Sequence, residues 1–276
     1  MSVTVTTTVT RKSYVDSRHG QVHLRTAGPQ DGSPVLLLHQ VPSSSAMWSA
    51  LLGPLAERGH RVVAMDLPGY GASDPVTPVP SAAGLGDYAD AALDVLDALG
   101  IDAAHVLGHH TGASVGLTLA ATSPDRVRSL AMWGIPVLSA EFARELATEP
   151  PPVWGPDFID DVDAWWRNRV AHTAGPVLGP VMARSLTEML QCAEHRPDGH
   201  NAVGRTDHLA LLAAVRIPVL GLTGAREMLD GETRAVAASH PDTVLLADLG
   251  DVGMDVADEA PELLADVVSA HFARTD

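Results

Sequence analysis

Cysteine is all but missing from this chain of 276 residues: Cys192 stands alone, which excludes an internal disulfide and any cysteine-built metal cluster. Lysine is equally scarce, with Lys12 the sole example, and 18 basic residues face 34 acidic ones. The formal net charge of −16 argues against nucleic acid or an anionic membrane as a partner, since both need a basic face. No apolar run approaches the roughly 20 residues that span a bilayer. Residues 1–10 lack the basic start and apolar core of a secretory leader. Nor is there a phosphate loop or dinucleotide fingerprint, since Gly69-Tyr70-Gly71 runs on into Ala72-Ser73. The expectation is a cytoplasmic protein without a cofactor, whose partner is a small-molecule substrate, with a homodimer left open.

What is present is ordinary core material. Hydrophobic residues make up 46% of the chain and charged residues 19%, enough apolar surface for a sizeable interior. Residues 13–17 and 21–26 flank Arg18-His19-Gly20 and predict a hairpin. Residues 1–10 alternate like an edge strand or form a loose terminus. Continuous apolar runs at 34–39, 61–65, 104–107, 127–132, 217–222 and 243–247 suit strands buried on both faces of a parallel sheet. Between them lie helical patterns; residues 87–99 place Tyr88, Ala91, Ala92, Val95 and Leu99 on one face, and Gly100 follows as a stop. Alternation of this kind predicts an α/β fold with a doubly wound, mostly parallel sheet. From about residue 138 to 205 the rhythm breaks into helical stretches, such as 181–192, with Pro150-Pro151-Pro152 and Trp165-Trp166. That segment is expected to cap a core formed by 1–137 and 206–276, above the carboxyl ends of the strands where open sheets bind ligands.

The chemistry concentrates at Gly108-His109-His110-Thr111-Gly112, between the run at 104–107 and a small-residue helix from Ala113. Strand, tight turn and helix in that order is the context in which Gly-x-Ser-x-Gly presents a nucleophile. Four other segments keep it company: Leu38-His39-Gln40-Val41-Pro42 with Ser45 and Trp48; Asp66-Leu67-Pro68-Gly69-Tyr70-Gly71-Ala72-Ser73-Asp74; Leu222-Thr223-Gly224-Ala225-Arg226-Glu227; and Gly253-Met254 with Glu259 and Pro261. In this order the five segments make the chain resemble the α/β-hydrolase superfamily over nearly its whole length. The resemblance implies the α/β-hydrolase fold with a helical cap. It also implies an oxyanion pocket from the backbone N–H groups of Val41 and Thr111.

The matches break at the reactive positions. His110 stands where the nucleophile is expected, Glu227 at the acid position, and Met254 where the catalytic histidine belongs. A thioether cannot take a proton near neutral pH, so Met254 removes the base of a triad. His240 precedes the last strand, His271 lies in the terminal helix, and Ser114 sits a turn into the helix after the elbow; none of them restores it. An imidazole at the elbow can donate from one nitrogen and accept at the other, which suits His110 to general acid–base work with Glu227 and Gln40. Asp66 could orient His110 from the neighbouring strand end. His109, Trp133, Trp154, Trp165 and Met254 are the candidate pocket lining, His109 also being suited to packing behind the elbow. His172, His195 and His200 come from the same insertion, and Arg167 and Arg169 suit solvent. No metal is expected, because adjacent side chains on a tight turn diverge and no carboxylate stands at ligand spacing. The leading expectation is a cofactor-free enzyme that has left hydrolysis for proton-transfer chemistry: cyclisation, C–C bond formation, isomerisation or a lyase step on an aromatic or polyketide-like molecule of secondary metabolism. The alternatives are a hydrolase of an epoxide, lactone or ester with a rearranged site, or a non-catalytic ligand-binding protein.

Overall fold

A computed structural model describes residues 9–78, 82–173 and 177–275, so most of the alternating stretch at 1–10 lies outside the described residues. Strands β1 (Arg11–Ser17) and β2 (Gly20–Ala27) form the expected antiparallel hairpin, with Tyr14 opposite His23 and Ser17 opposite Gly20. Strand β2 then pairs antiparallel with β4 (His60–Met65), which joins the hairpin to a parallel core. That core contains β3 (Ser33–Leu38), β5 (Ala104–His109), β6 (Val127–Trp133), β7 (Val219–Thr223) and β8 (Val244–Asp248). Across the eight strands of this sheet the order is β1-β2-β4-β3-β5-β6-β7-β8.

Alternation along each strand builds two cores. Leu36, Leu38, Val106, Leu130 and Met132 pack on one face against α2 (Leu85–Ala98), α3 (Thr111–Thr122), α8 (His208–Ala214) and α9 (Asp230–Ser239). Val35, Leu37, Leu107, Ala131 and Trp133 pack on the other against α1 (Ser49–Glu57), α10 (Val256–Glu259) and α11 (Pro261–Phe272). Period two in the strands thus feeds both layers, which is why the runs read as unbroken apolar sequence. Helix α2 stops where expected: Gly100 follows at φ +62°, a conformation that costs other residues strain. One run departs from expectation. Strand β8 is the sheet edge, paired with β7, and Leu245 is 44% exposed instead of buried on both faces.

Between β6 and α8 the chain forms α4 (Ala140–Ala147), α5 (Phe158–His172), α6 (Leu178–Gln191) and α7 (Arg196–Gly204). Side chains from these helices and from the carboxyl ends of the strands line a common cavity. Among the described residues no helix is long and apolar enough to cross a membrane.

Candidate active site

Strand β5 ends at His109 and α3 begins at Thr111, so His110 must turn the chain alone. It does so at φ 45° and ψ −105°, the one positive-φ residue other than glycine among the described residues. Such a conformation is sparsely populated and survives where its surroundings hold it. Here they do: His110 N–H donates to the Trp133 carbonyl at 3.0 Å, and Ser114 N–H donates to the His110 carbonyl at 2.9 Å. The flanking glycines let α3 approach the sheet. A Cβ on Gly108 would lie 2.4 Å from the Gly112 carbonyl oxygen, and one on Gly112 would lie 2.1 Å from that of Leu38. The spacing of the two glycines therefore answers to backbone packing, whichever residue stands between them.

The elbow delivers His110 to a buried carboxylate. His110 Nε2 lies 2.5 Å from Glu227 Oε1, the Trp133 indole N–H donates to Oε2 at 2.5 Å, and Leu229 N–H donates to Oε1 at 3.0 Å. Burial alone would push the Glu227 carboxyl up; the charge and hydrogen bond of His110, with His109 and the Leu229 N–H, outweigh it and hold the group down at about 2. Glu227 reaches this place through the turn after β7, where its N–H donates to the Gly224 carbonyl at 2.9 Å. A carboxylate only accepts, so the pairing puts the proton of His110 on Nε2. Nδ1 has no hydrogen-bond partner among the described residues, and His110 lines the cavity.

The end of β3 supplies a second element. His39 Nδ1 lies 2.7 Å from the Gln40 carbonyl, and its Nε2 accepts from Leu67 N–H at 2.8 Å. Burial lowers the pKa of His39, against the pull of Asp66 and the Gln40 carbonyl. A trans peptide points its C=O and N–H in opposite directions. With the Gln40 carbonyl tied to His39, the Val41 N–H is turned away from it. Neither Val41 N–H nor Thr111 N–H donates to an acceptor among the described residues, and both residues line the cavity together with Gln40.

Several expected residues stand elsewhere. His109 is 0% exposed and does not line the cavity; it packs among Trp48, Trp133 and His110, and neither ring nitrogen has a partner among the described residues. Burial, followed by the neighbouring His110, drives its pKa well below the usual histidine value. Trp133 is buried beneath the site, where it holds Glu227 instead of lining the pocket. Trp154 is 55% exposed against Phe158, on the outside of the insertion. Asp66 does not orient His110: it accepts from His23 Nδ1 and from the Ser45 and Ala72 N–H groups, and so fastens the turn after β4. Ser114 is fully buried with its hydroxyl 2.8 Å from His208 Nε2.

The cavity has a volume of about 240 Å³. Its walls are largely apolar, with Trp165 and Phe142 from the insertion and Leu229 and Met254 from the core. Arg169, expected at the surface, is buried and lines it as well. The signal was available: Trp165, Asn168 and Arg169 stand three and four residues apart on α5, hence on one helical face, and all three meet the cavity. His200 lines it too, held by Glu149 at 2.6 Å. The expected divergence of the adjacent histidines does not occur. Positive φ at His110 brings the rings to 4.4 Å, and the fold adds Glu227, so ligand atoms of all three lie within 4.8 Å of one another. Two imidazoles and a carboxylate are a donor set that a divalent cation could use.

A sequence profile described as alpha/beta hydrolase fold matches residues 33–198. A protein of Variovorax paradoxus named as a carbamate hydrolase is 40% identical over 118 residues, 42% of this chain and 44% of that protein. A protein of Bacillus subtilis named as a carboxylesterase is 33% identical over 119 residues, 43% of this chain and 39% of that protein. The chain thus spans less than half the length of these curated relatives. Among solved structures, an epoxide hydrolase from an endophytic Streptomyces superposes with a TM-score of 0.76 at 20% identity, covering 95% of this chain and 94% of that one. All three are named for hydrolysis. That finding overturns the expectation of cyclisation, C–C bond formation or lyase chemistry, which rested on reading the loss of a base at Met254 as the loss of hydrolysis.

Proposed function

The chain belongs to the α/β-hydrolase fold family, and from that premise we propose that it is a hydrolase of esters or lactones in which His110 activates water. The observation that carries the reading is the His110–Glu227 contact of 2.5 Å on a strained elbow bordering a largely apolar cavity. Replacing the usual histidine by Met254 removes one base, and His110 supplies another from the elbow itself. The Glu227 carboxylate takes the Nε2 proton as a hydrogen bond and leaves the Nδ1 lone pair free. Nδ1 removes a proton from water as the water oxygen attacks the carbonyl carbon. Negative charge moves onto the carbonyl oxygen, where the N–H groups of Val41 and Thr111 receive it. The tetrahedral species then collapses, the C–O bond to the leaving group breaks, and the imidazolium returns its proton to the departing alcohol. Ester and water become acid and alcohol, with no bond to the protein at any stage.

The test is a panel of p-nitrophenyl esters and small lactones. Parent protein is expected to turn over at least one of them, and His110→Ala to lose about a hundredfold or more, the scale of general acid–base groups. A serine-directed fluorophosphonate is expected to leave the intact mass unchanged. Equal turnover by His110→Ala, or labelling of a serine with loss of activity, would refute the role given to His110.

A further inference from the structure

Among the described residues, one permanently charged side chain lines the cavity, Arg169, and no aspartate or glutamate does. Arg169 is 7% exposed. One arm of its guanidinium meets Asp255, whose other oxygen accepts from the Thr173 hydroxyl at 2.6 Å. The other arm, NH1, lies 2.7 Å from Met254 Sδ. The two acceptors are very unequal. Asp255 fixes the fork in place, whereas a thioether is a weak acceptor and satisfies little of a buried cation's demand. A carboxylate oxygen is a far stronger acceptor for a guanidinium N–H than a thioether sulfur, and in a low-dielectric pocket such a charged hydrogen bond is stronger than in water.

Resting on the hydrolase reading, we propose that Arg169 anchors a free carboxylate of the substrate, which takes the place of the Met254 sulfur as partner of the NH1 arm. The substrate class is then an ester or lactone bearing a second, unesterified carboxylate. Met254 occupies the position that the fold usually gives to a catalytic histidine. On this proposal that position serves recognition, and the base has moved to the elbow.

The test uses two esters with one leaving group and one chain length, mono-p-nitrophenyl adipate and p-nitrophenyl hexanoate. The parent is expected to favour the adipate by about tenfold or more in kcat/KM, chiefly through KM, the scale of one well-made charged contact. Arg169→Gln is expected to bring the ratio of the two values close to one. Arg169→Lys, which keeps the charge without the fork, is expected to fall between. No preference in the parent, or a ratio that survives Arg169→Gln, would overturn the anchor. A second arm does not depend on turnover: calorimetric titration of the parent with benzoate and with its neutral counterpart benzamide. Benzoate is expected to bind, benzamide to bind about tenfold more weakly or worse, and Arg169→Gln to abolish the difference. If neither these esters nor any member of the ester and lactone panel is hydrolysed while benzoate binds selectively, the hydrolase reading fails and the anchor stands. If both esters are hydrolysed alike and benzoate shows no selectivity, the anchor fails and the hydrolase reading stands.

Discussion

At the scale of single residues the site depends on a carboxylate that burial alone would neutralise. Glu227 stays ionised because three donors converge on it, from His110, Trp133 and Leu229. Glu227→Gln keeps the shape but brings two N–H donors of its own among groups that all donate. At least one of the three must then lose its acceptor, Trp133 where the amide oxygen keeps the Oε1 position, and His110 exchanges a charged partner for a neutral one that holds its tautomer less firmly. The expected result is a loss of about 2–4 kcal/mol in urea unfolding, the cost of breaking a buried charged network. Ester turnover is expected to fall by about tenfold or more, since orientation of the base suffers without its removal. A folded Glu227→Gln variant with full turnover would show that His110 works without this partner.

At the scale of elements, the same substitution is expected to act with opposite signs at two glycines. Gly108→Ala places a methyl group 2.4 Å from a backbone oxygen of the elbow and must push α3 off the sheet. A loss of roughly 3 kcal/mol or more is expected, within the range of severe overpacking. Gly86→Ala, in the first turn of α2 with nothing within 4 Å of the added carbon, is expected to gain about 0.5 kcal/mol from lower unfolded-state entropy. Equilibrium unfolding of both variants beside the parent decides it; a tolerated Gly108→Ala would mean that the helix–strand approach can relax. Elements were also what the chain revealed most readily. The runs at 34–39 and 104–107 appear as strands because both faces of β3 and β5 are covered, and Gly100 marks the end of α2. The elbow was legible through its two glycines, of which Gly108 answers to the Gly112 carbonyl four residues on and Gly112 to the Leu38 carbonyl of the neighbouring strand. Strand β8 was misjudged because an edge position is a property of the sheet and not of the residues at 243–247. The partnership of His110 with Glu227 was only half legible. The two residues could be matched to positions of the fold, but their convergence with His109 depends on a positive φ that sequence spacing does not display. Arg169 was missed because its role comes from burial across an inserted layer, with Asp255 and Met254 more than eighty residues away.

Over the whole molecule, acid stability follows from histidines kept in the interior. Burial drives His208 down to about 4, against the raising influence of the Thr206 carbonyl and Asp207. His271 is likewise pushed by burial to about 4, against the Leu130 carbonyl, and burial lowers His39 and His109 too. A depressed histidine binds its proton more readily in the unfolded chain. Its penalty is therefore absent above the ordinary value near 6.5 and grows as pH falls from there toward 4. For His208 alone that amounts to about 3 kcal/mol at pH 4, from the shift in its titration. Glu227 acts in a lower window: its carboxylate stabilises the fold above about 4.5, and that contribution is lost as pH falls toward 2. Against both runs the relief of self-repulsion as a chain of net charge −16 takes up protons. Surface charges are screened within roughly 8 Å at physiological salt, whereas the buried imidazoles are not, so the histidines should prevail. Urea unfolding in 0.15 M salt is expected to give a free energy that declines steadily from pH 7 to pH 4. In His208→Gln, whose amide can still meet the Ser114 hydroxyl, the decline should shrink by about 3 kcal/mol. An unchanged decline in that variant would mean that His208 takes up its proton in the folded protein as easily as in the unfolded one, and acid sensitivity would have to be sought at His39, His109 and His271.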